Sequence, residues 1–180
     1  MKKLIILDRD GVINYESTEY IKTPAEWQAI PGSLQAITRL NQSGYQVVIV
    51  TNQSGVGRGY YDLDTLSRIH KKLKNALAEV GGHVDDIFFC PHRPDENCIC
   101  RKPKPYFFYE IKKKYQVNLA DIFFIGDSLT DVEVARLVGC QPILVLTGKG
   151  QKTLNDNPQL KEIVIFPDLS QAVDHILRST

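Results

Sequence analysis

The chain has 180 residues, 43% hydrophobic and 24% charged, the composition and roughly the length of one globular domain with its own core. Twenty-two Lys and Arg against 21 Asp and Glu leave a net charge of +1, which argues against a chain built to coat nucleic acid or anionic membrane. No apolar run approaches the ~20 residues that cross a bilayer, and the run Leu4–Leu7 stops at Asp8, so the N-terminus reads as a strand of a cytoplasmic protein rather than a signal peptide.

Along the chain, short apolar runs alternate with amphipathic stretches. Strands are expected at Lys3–Leu7, Gln46–Thr51, Asp86–Phe89, Ile122–Gly126, Pro142–Leu146 and Glu162–Phe166, all continuously apolar enough to be buried on both faces. Helices are expected at Ser33–Gln42, Asp62–Val80, Pro105–Tyr115, Leu129–Val138 and Leu169–Leu177. In the second of these, Asp62 is the N-cap and Gly81-Gly82 the stop. This alternation predicts an α/β fold, Rossmann-like and three-layered, with a mostly parallel central sheet and residues 1–180 forming a single domain. Two stretches break it, Gly11–Pro31 and the loop Cys90–Pro105. Both begin at the carboxyl end of a strand, where open α/β sheets bind ligands.

Four elements at strand ends carry chemistry. Asp8-Arg9-Asp10-Gly11 puts two carboxylates on the same side of a chain leaving its strand, a pair able to supply a nucleophile and an acid/base. Thr51-Asn52-Gln53-Ser54-Gly55-Val56-Gly57 offers hydroxyl and amide donors ahead of glycines that let the backbone approach an anion. Arg101-Lys102-Pro103 presents adjacent cations suited to phosphate oxygens. Gly126-Asp127-Ser128-Leu129-Thr130-Asp131 places a carboxylate at a strand tip, a hard oxygen ligand for Mg2+. Each taken singly also reads as a turn, a cap or a solvated pair. A fifth element is Cys90-x-His92 followed by Cys98-x-Cys100. Three thiolates and one imidazole make a closed tetrahedral set for a structural Zn2+. Cys140 reads as a core residue, and His70, His83 and His175 as surface or packing histidines.

Taken in this order, the elements resemble the haloacid dehalogenase superfamily of phosphatases, with Asp8-x-Asp10-Gly11, Thr51, Lys102 and Gly126-Asp127-x-x-x-Asp131 as its four motifs. The resemblance implies Asp8 as nucleophile and Asp10 as acid/base. It implies that Thr51 and Lys102 hold the phosphoryl group, and that Mg2+ rests on Asp8, the Asp10 main-chain carbonyl and Asp127. The zinc loop running into Arg101-Lys102-Pro103 is similar to the subgroup that holds heptose-bisphosphate and histidinol-phosphate phosphatases. The runs Leu7–Asn14 and Thr51–Gly59 look like the heptose branch, since the histidinol enzymes usually carry Gln-Asp-Gly at Gln53-Ser54-Gly55.

That branch implies removal of the 7-phosphate of a D-glycero-D-manno-heptose 1,7-bisphosphate through an aspartyl-phosphate, in nucleotide-activated heptose synthesis for lipopolysaccharide or other surface glycans. The enzyme would be a cytoplasmic monomer without a large cap domain and with no membrane or nucleic-acid partner. Substrate contacts fall on Asn52, Gln53, Ser54, Arg101 and Lys102, and none is assigned to the Glu16–Tyr20 segment, which is longer than in some relatives. Two other readings stay open. One is a histidinol-phosphate phosphatase. The other is a zinc-dependent module with vestigial motifs that binds nucleic acid through Lys71-Lys72-Leu73-Lys74 and Lys112-Lys113-Lys114.

Overall fold

A computed structural model describes residues 3–179. The apolar runs become six strands: β1 (Lys3–Leu7), β2 (Tyr45–Asn52), β3 (Asp86–Cys90), β4 (Phe123–Gly126), β5 (Gln141–Val145) and β6 (Val164–Phe166). They lie in the order β3-β2-β1-β4-β5-β6, and every neighbouring pair is parallel. The helices are α1 (Ser33–Gln42), α2 (Ser54–Gly57), α3 (Leu63–Glu79), α4 (Tyr106–Tyr115), α5 (Leu129–Val138), α6 (Gly150–Asp156) and α7 (Leu169–Arg178).

Side chains alternate across a strand, so β1 feeds two cores. Ile5 and Leu7 join Val47, Ile49, Ile125 and Val145 against α1, α3 and α7. Leu4 and Ile6 join Val48, Val50 and Phe124 against Phe108 and Ile111 of α4 and Val134 and Ala135 of α5. Burial of both faces explains why the central strands carry no polar alternation. At the edges the expectation of full burial fails. β3 is only half-buried over Asp86–Phe89, and Val164 of β6 is exposed, because each lacks a neighbour on one side.

Asp62 caps α3 as expected, its side chain accepting from Thr65 N at 2.8 Å. Two short helices, α2 and α6, were not expected. Gly11–Pro31 folds as loops tied by bridges from Asn14 to Asp10 and Ala29, with one 3-10 turn at Pro24–Glu26 and with Ile21 and Trp27 buried. β1 and β4 are adjacent while the chain runs outward from them in opposite directions. The crevice at their carboxyl ends is the topological switch point of the sheet.

Candidate active site

Asp8 leaves β1 at this crevice. Its amide donates to Ile125 O of β4 at 2.9 Å, and its Oδ1 accepts from Arg9 N at 2.7 Å. Lys102, 3% exposed, arrives from beyond the Cys90–Cys100 loop. Its ammonium lies 3.1 Å from Asp8 Oδ1 and 2.7 Å from Asp131 Oδ1, and donates to Val50 O at 2.9 Å. Burial disfavours that charge, but Asp131 and Asp8 outweigh it and hold the ammonium above its ordinary range. Asn52 at the end of β2 grips the Lys102 backbone both ways, donating to its carbonyl at 3.3 Å and accepting from its amide at 3.0 Å.

Asp127 sits at the tip of β4. Gly11 (φ 80°) and Gly148 (φ 57°) close around its carboxylate, and a Cβ on either would come 2.0 or 2.3 Å from Asp127 Oδ2. Lys149 N donates to that oxygen at 2.8 Å. Ser128 caps α5, and Asp131 Oδ2 takes its amide at 3.1 Å and its hydroxyl at 2.7 Å.

Ligating oxygens of Asp8, Asp127 and Asp131 lie within 4.8 Å of one another. All three are buried, and the Lys102 ammonium pairs with Asp8 and Asp131 but not with Asp127. Burial first, then the Asp131 charge, pushes Asp8 well above the usual carboxylate range and Asp127 up to about 7. Positive charge is lacking at a cluster of hard oxygen donors, and a divalent cation such as Mg2+ fits that need.

Asp10 has the opposite environment. Its Oδ1 accepts from Arg9 Nε at 3.0 Å, Arg9 Nη2 at 2.8 Å and Asn14 Nδ2 at 2.9 Å, and its Oδ2 accepts from Gln53 Nε2 at 2.9 Å. Burial pushes its pKa up, but the Arg9 charge and these bonds win, so the carboxyl falls below its ordinary range. Gln53 Nε2 also donates to Thr51 Oγ1 at 2.9 Å, leaving the Thr51 hydroxyl proton available to an anion.

The expected residues converge. Asp8, Asp10 and Asp127 floor a cleft of about 550 Å3, with Thr51, Asn52, Gln53 and Ser54 on one wall and Arg101 and Lys102 beside them. Sequence reasoning missed other members. Arg58 and Lys149 add cations, and Glu16, paired with Lys149 at 2.9 Å, lies in the segment to which no contact was assigned. Nor was any part in the site assigned to Arg9 or His70. His70, read as a packing or surface residue, is buried with Nε2 3.0 Å from Arg9 Nη1. A partner so distant in sequence leaves no local signal.

The second cluster is Cys90, His92, Cys98 and Cys100. Cys90 Sγ is 3.5 Å from both His92 Nδ1 and Cys98 Sγ, while Cys100 Sγ is 3.3 Å from His92 Nδ1 and 3.8 Å from Cys98 Sγ. A tetrahedron with ~2.3 Å metal–sulfur bonds has edges of about 3.8 Å, so the donor set fits Zn2+ with no vacant position. Amides of Arg101 and Cys100 point at the Cys98 sulfur and, against burial, hold its thiol down at about 7.

One lysine of each basic run is tied to the fold. Lys72 donates to Pro24 O and Trp27 O at 2.6 and 2.8 Å, and Lys114 pairs with Asp86 at 2.6 Å. Among the described residues no helix is long and apolar enough to cross a membrane.

A parallel sheet of this order, with acids at the tips of its two central strands and a buried lysine between them, defines a haloacid dehalogenase-type hydrolase. Residues 99–172 match the HAD-hydrolase-like family. A D-glycero-beta-D-manno-heptose-1,7-bisphosphate 7-phosphatase of Pseudomonas aeruginosa is 51% identical over 177 residues, covering 98% of this chain and 99% of the relative. The crystal structure of the D,D-heptose 1,7-bisphosphate phosphatase of Bordetella bronchiseptica, complexed with magnesium and phosphate, superposes with a TM-score of 0.96 at 49% identity, covering 99% of each chain. That of the Burkholderia thailandensis enzyme gives 0.78 at 41% identity, covering 98% of this chain and 99% of that one. The chain belongs to the heptose 1,7-bisphosphate 7-phosphatase family.

Proposed function

We propose that this protein removes the 7-phosphate of D-glycero-β-D-manno-heptose 1,7-bisphosphate by way of a phosphorylated Asp8. The observation that carries the bisphosphate reading is charge. Beyond Lys102, the same cleft is lined by Arg58, Arg101 and Lys149. Lys149 is already paired with Glu16, but Arg58 and Arg101 match a second anionic group, whereas histidinol phosphate carries a cationic amine in its place.

The chain's residues divide the work. An Asp8 carboxylate oxygen attacks phosphorus, and the bond from phosphorus to the sugar oxygen breaks. Asp10 gives the departing oxygen its proton. Asp10 rests ionised beside Arg9, and the anionic phosphate arriving next to it raises its proton affinity. In the second half, Asp10 takes a proton from water, the water oxygen bonds phosphorus, and the bond to Asp8 breaks to free phosphate. Thr51 and Lys102 hold the phosphoryl oxygens throughout. Asn52 fixes the Lys102 backbone, and Ser54 and Arg101 face the sugar and its remaining phosphate. Mg2+ held by Asp8, Asp127 and the Asp10 carbonyl would neutralise charge gathering on the phosphoryl oxygens. Zn2+ in the cysteine–histidine set would organise the loop that delivers Arg101 and Lys102.

The test compares phosphate release from both heptose bisphosphate anomers and from histidinol phosphate, with Mg2+, and locates the phosphate left on the product by phosphorus NMR. The β anomer should be preferred, the 1-phosphate retained, and histidinol phosphate disfavoured by ~10² or more in kcat/KM. Loss of the 1-phosphate, or equal turnover of histidinol phosphate, contradicts the assignment.

A further inference from the structure

Behind Asp10 lies a set of buried polar groups whose hydrogen-bond directions are forced. A guanidinium can only donate. Arg9 Nη2 donates to Gln53 Oε1 at 3.2 Å and Tyr61 Oη donates to the same oxygen at 2.7 Å, so the amide must turn its nitrogen toward Asp10 Oδ2 and Thr51 Oγ1. All the bonding capacity of the Gln53 amide is thereby spent inside the protein. By the same logic His70 Nε2, 3.0 Å from Arg9 Nη1, must be a bare acceptor. Burial, then the Arg9 charge, keeps that ring neutral, with a pKa pushed down to about 3. Tyr61 is held as a neutral donor, its phenol pushed up by burial to about 12. Arg9 is 1% exposed, Gln53 4%, His70 7% and Tyr61 8%, so no solvent competes for these bonds.

We propose that Tyr61 and His70 are positioning residues for the leaving-group proton: Tyr61 through Gln53 and His70 through Arg9 fix the Asp10 carboxyl so that Oδ2 carries the proton toward the departing sugar oxygen. Oδ1 is occupied by three donors from Arg9 and Asn14, whereas Oδ2 takes one, from Gln53. The lone pair left on Oδ2 is where a proton can sit without displacing a donor. A carboxyl that alternates between acid and base must keep its place in both forms, and donors that are themselves pinned from behind hold it there. Neither Tyr61 nor His70 lines the cleft that holds Asp8 and Asp10. The inference rests on the reading of Asp10 as the acid.

The experiment uses leaving-group dependence. A sugar alkoxide needs a proton to depart, and the nitrophenolate of para-nitrophenyl phosphate does not. Values of kcat/KM report through the phosphorylation step and are measured for heptose bisphosphate and for this aryl ester. The proteins are wild type, Tyr61→Phe, His70→Leu, His70→Gln and Asp10→Asn, each checked by circular dichroism and thermal unfolding. Tyr61→Phe and His70→Leu should lose about tenfold or more with the sugar substrate and no more than about twofold with the aryl ester, the acid being worth ~10²–10⁴ and small misplacements being costly. His70→Gln, which returns an acceptor to Arg9 Nη1, should recover most of the loss.

Equal losses on both substrates mean a merely structural role and overturn the proposal, as does wild-type behaviour of Tyr61→Phe. Asp10→Asn separates the two levels. If it lacks leaving-group selectivity, the acid reading itself falls. If it is selective while Tyr61→Phe and His70→Leu are not, only the positioning role falls.

Discussion

The Arg9 guanidinium is buried, with 1% of its surface exposed, and the structure sets Asp10 against it while Gln53 and His70 each accept a further N–H. Burial of a charge is costly unless such partners are complete. His70 consequently has a measurable effect on stability. Its folded-state pKa of about 3 lies below its ordinary 6.5, chiefly through burial and then Arg9, with Asp10 opposing and Lys74 adding slightly. Between those values the unfolded chain binds a proton that the folded chain refuses. Stability is therefore lost as pH falls from about 6.5 toward 3, by at most about 1.4 kcal/mol per pH unit from this group. Thermal unfolding followed from pH 7 to pH 4 should show a steeper acid loss for wild type than for His70→Gln. Parallel pH dependences would mean that His70 already takes up its proton in the folded state.

Among elements, the Cys90–Lys102 loop links the two clusters. It is held at one end by the four sulfur and nitrogen donors and at the other by Asn52 on the Lys102 backbone, with amides of Cys100 and Arg101 directed at Cys98. Cys98→Ser should release Zn2+ and lower kcat/KM by on the order of 10²-fold, as a ~1 Å displacement of Lys102 can do. Helical content should persist, because α4 is anchored independently by Phe108 and Ile111, with Phe108 edge-on to Phe124 at 5.1 Å. Bound zinc, circular dichroism and kinetics on one preparation settle it. Wild-type kinetics in zinc-free protein would remove the loop's role. The quartet was legible in the sequence because its donors lie close in the chain. The strands were legible because doubly buried strands are apolar throughout. α2 and α6 were not, since Ser54–Gly57 and Gly150–Asp156 are too short to display a helical period, and Gly55 and Gly57 read as turn.

At the scale of the molecule, the site follows from placing β1 between β2 and β4. That order brings Asp8, Thr51 and Asp127 to neighbouring strand ends, and the crossovers then deliver Lys102 and Lys149 over them. The residues proposed to act at strand ends could be read from the sequence because each ends an apolar run. The layer behind them could not, because Arg9 meets His70 across 61 positions and Gln53 across 44, and nothing in either stretch encodes the encounter.

The central claim is that Asp8 accepts the phosphoryl group. It is tested most directly by mixing the Mg2+-loaded enzyme with heptose bisphosphate carrying radiolabelled 7-phosphate, quenching in acid within milliseconds, and mapping the label by peptide mass spectrometry. The account predicts label on Asp8 before free phosphate reaches its steady rate, and neither label nor turnover in Asp8→Asn. Label on another residue, or turnover by Asp8→Asn free of wild type, would contradict it.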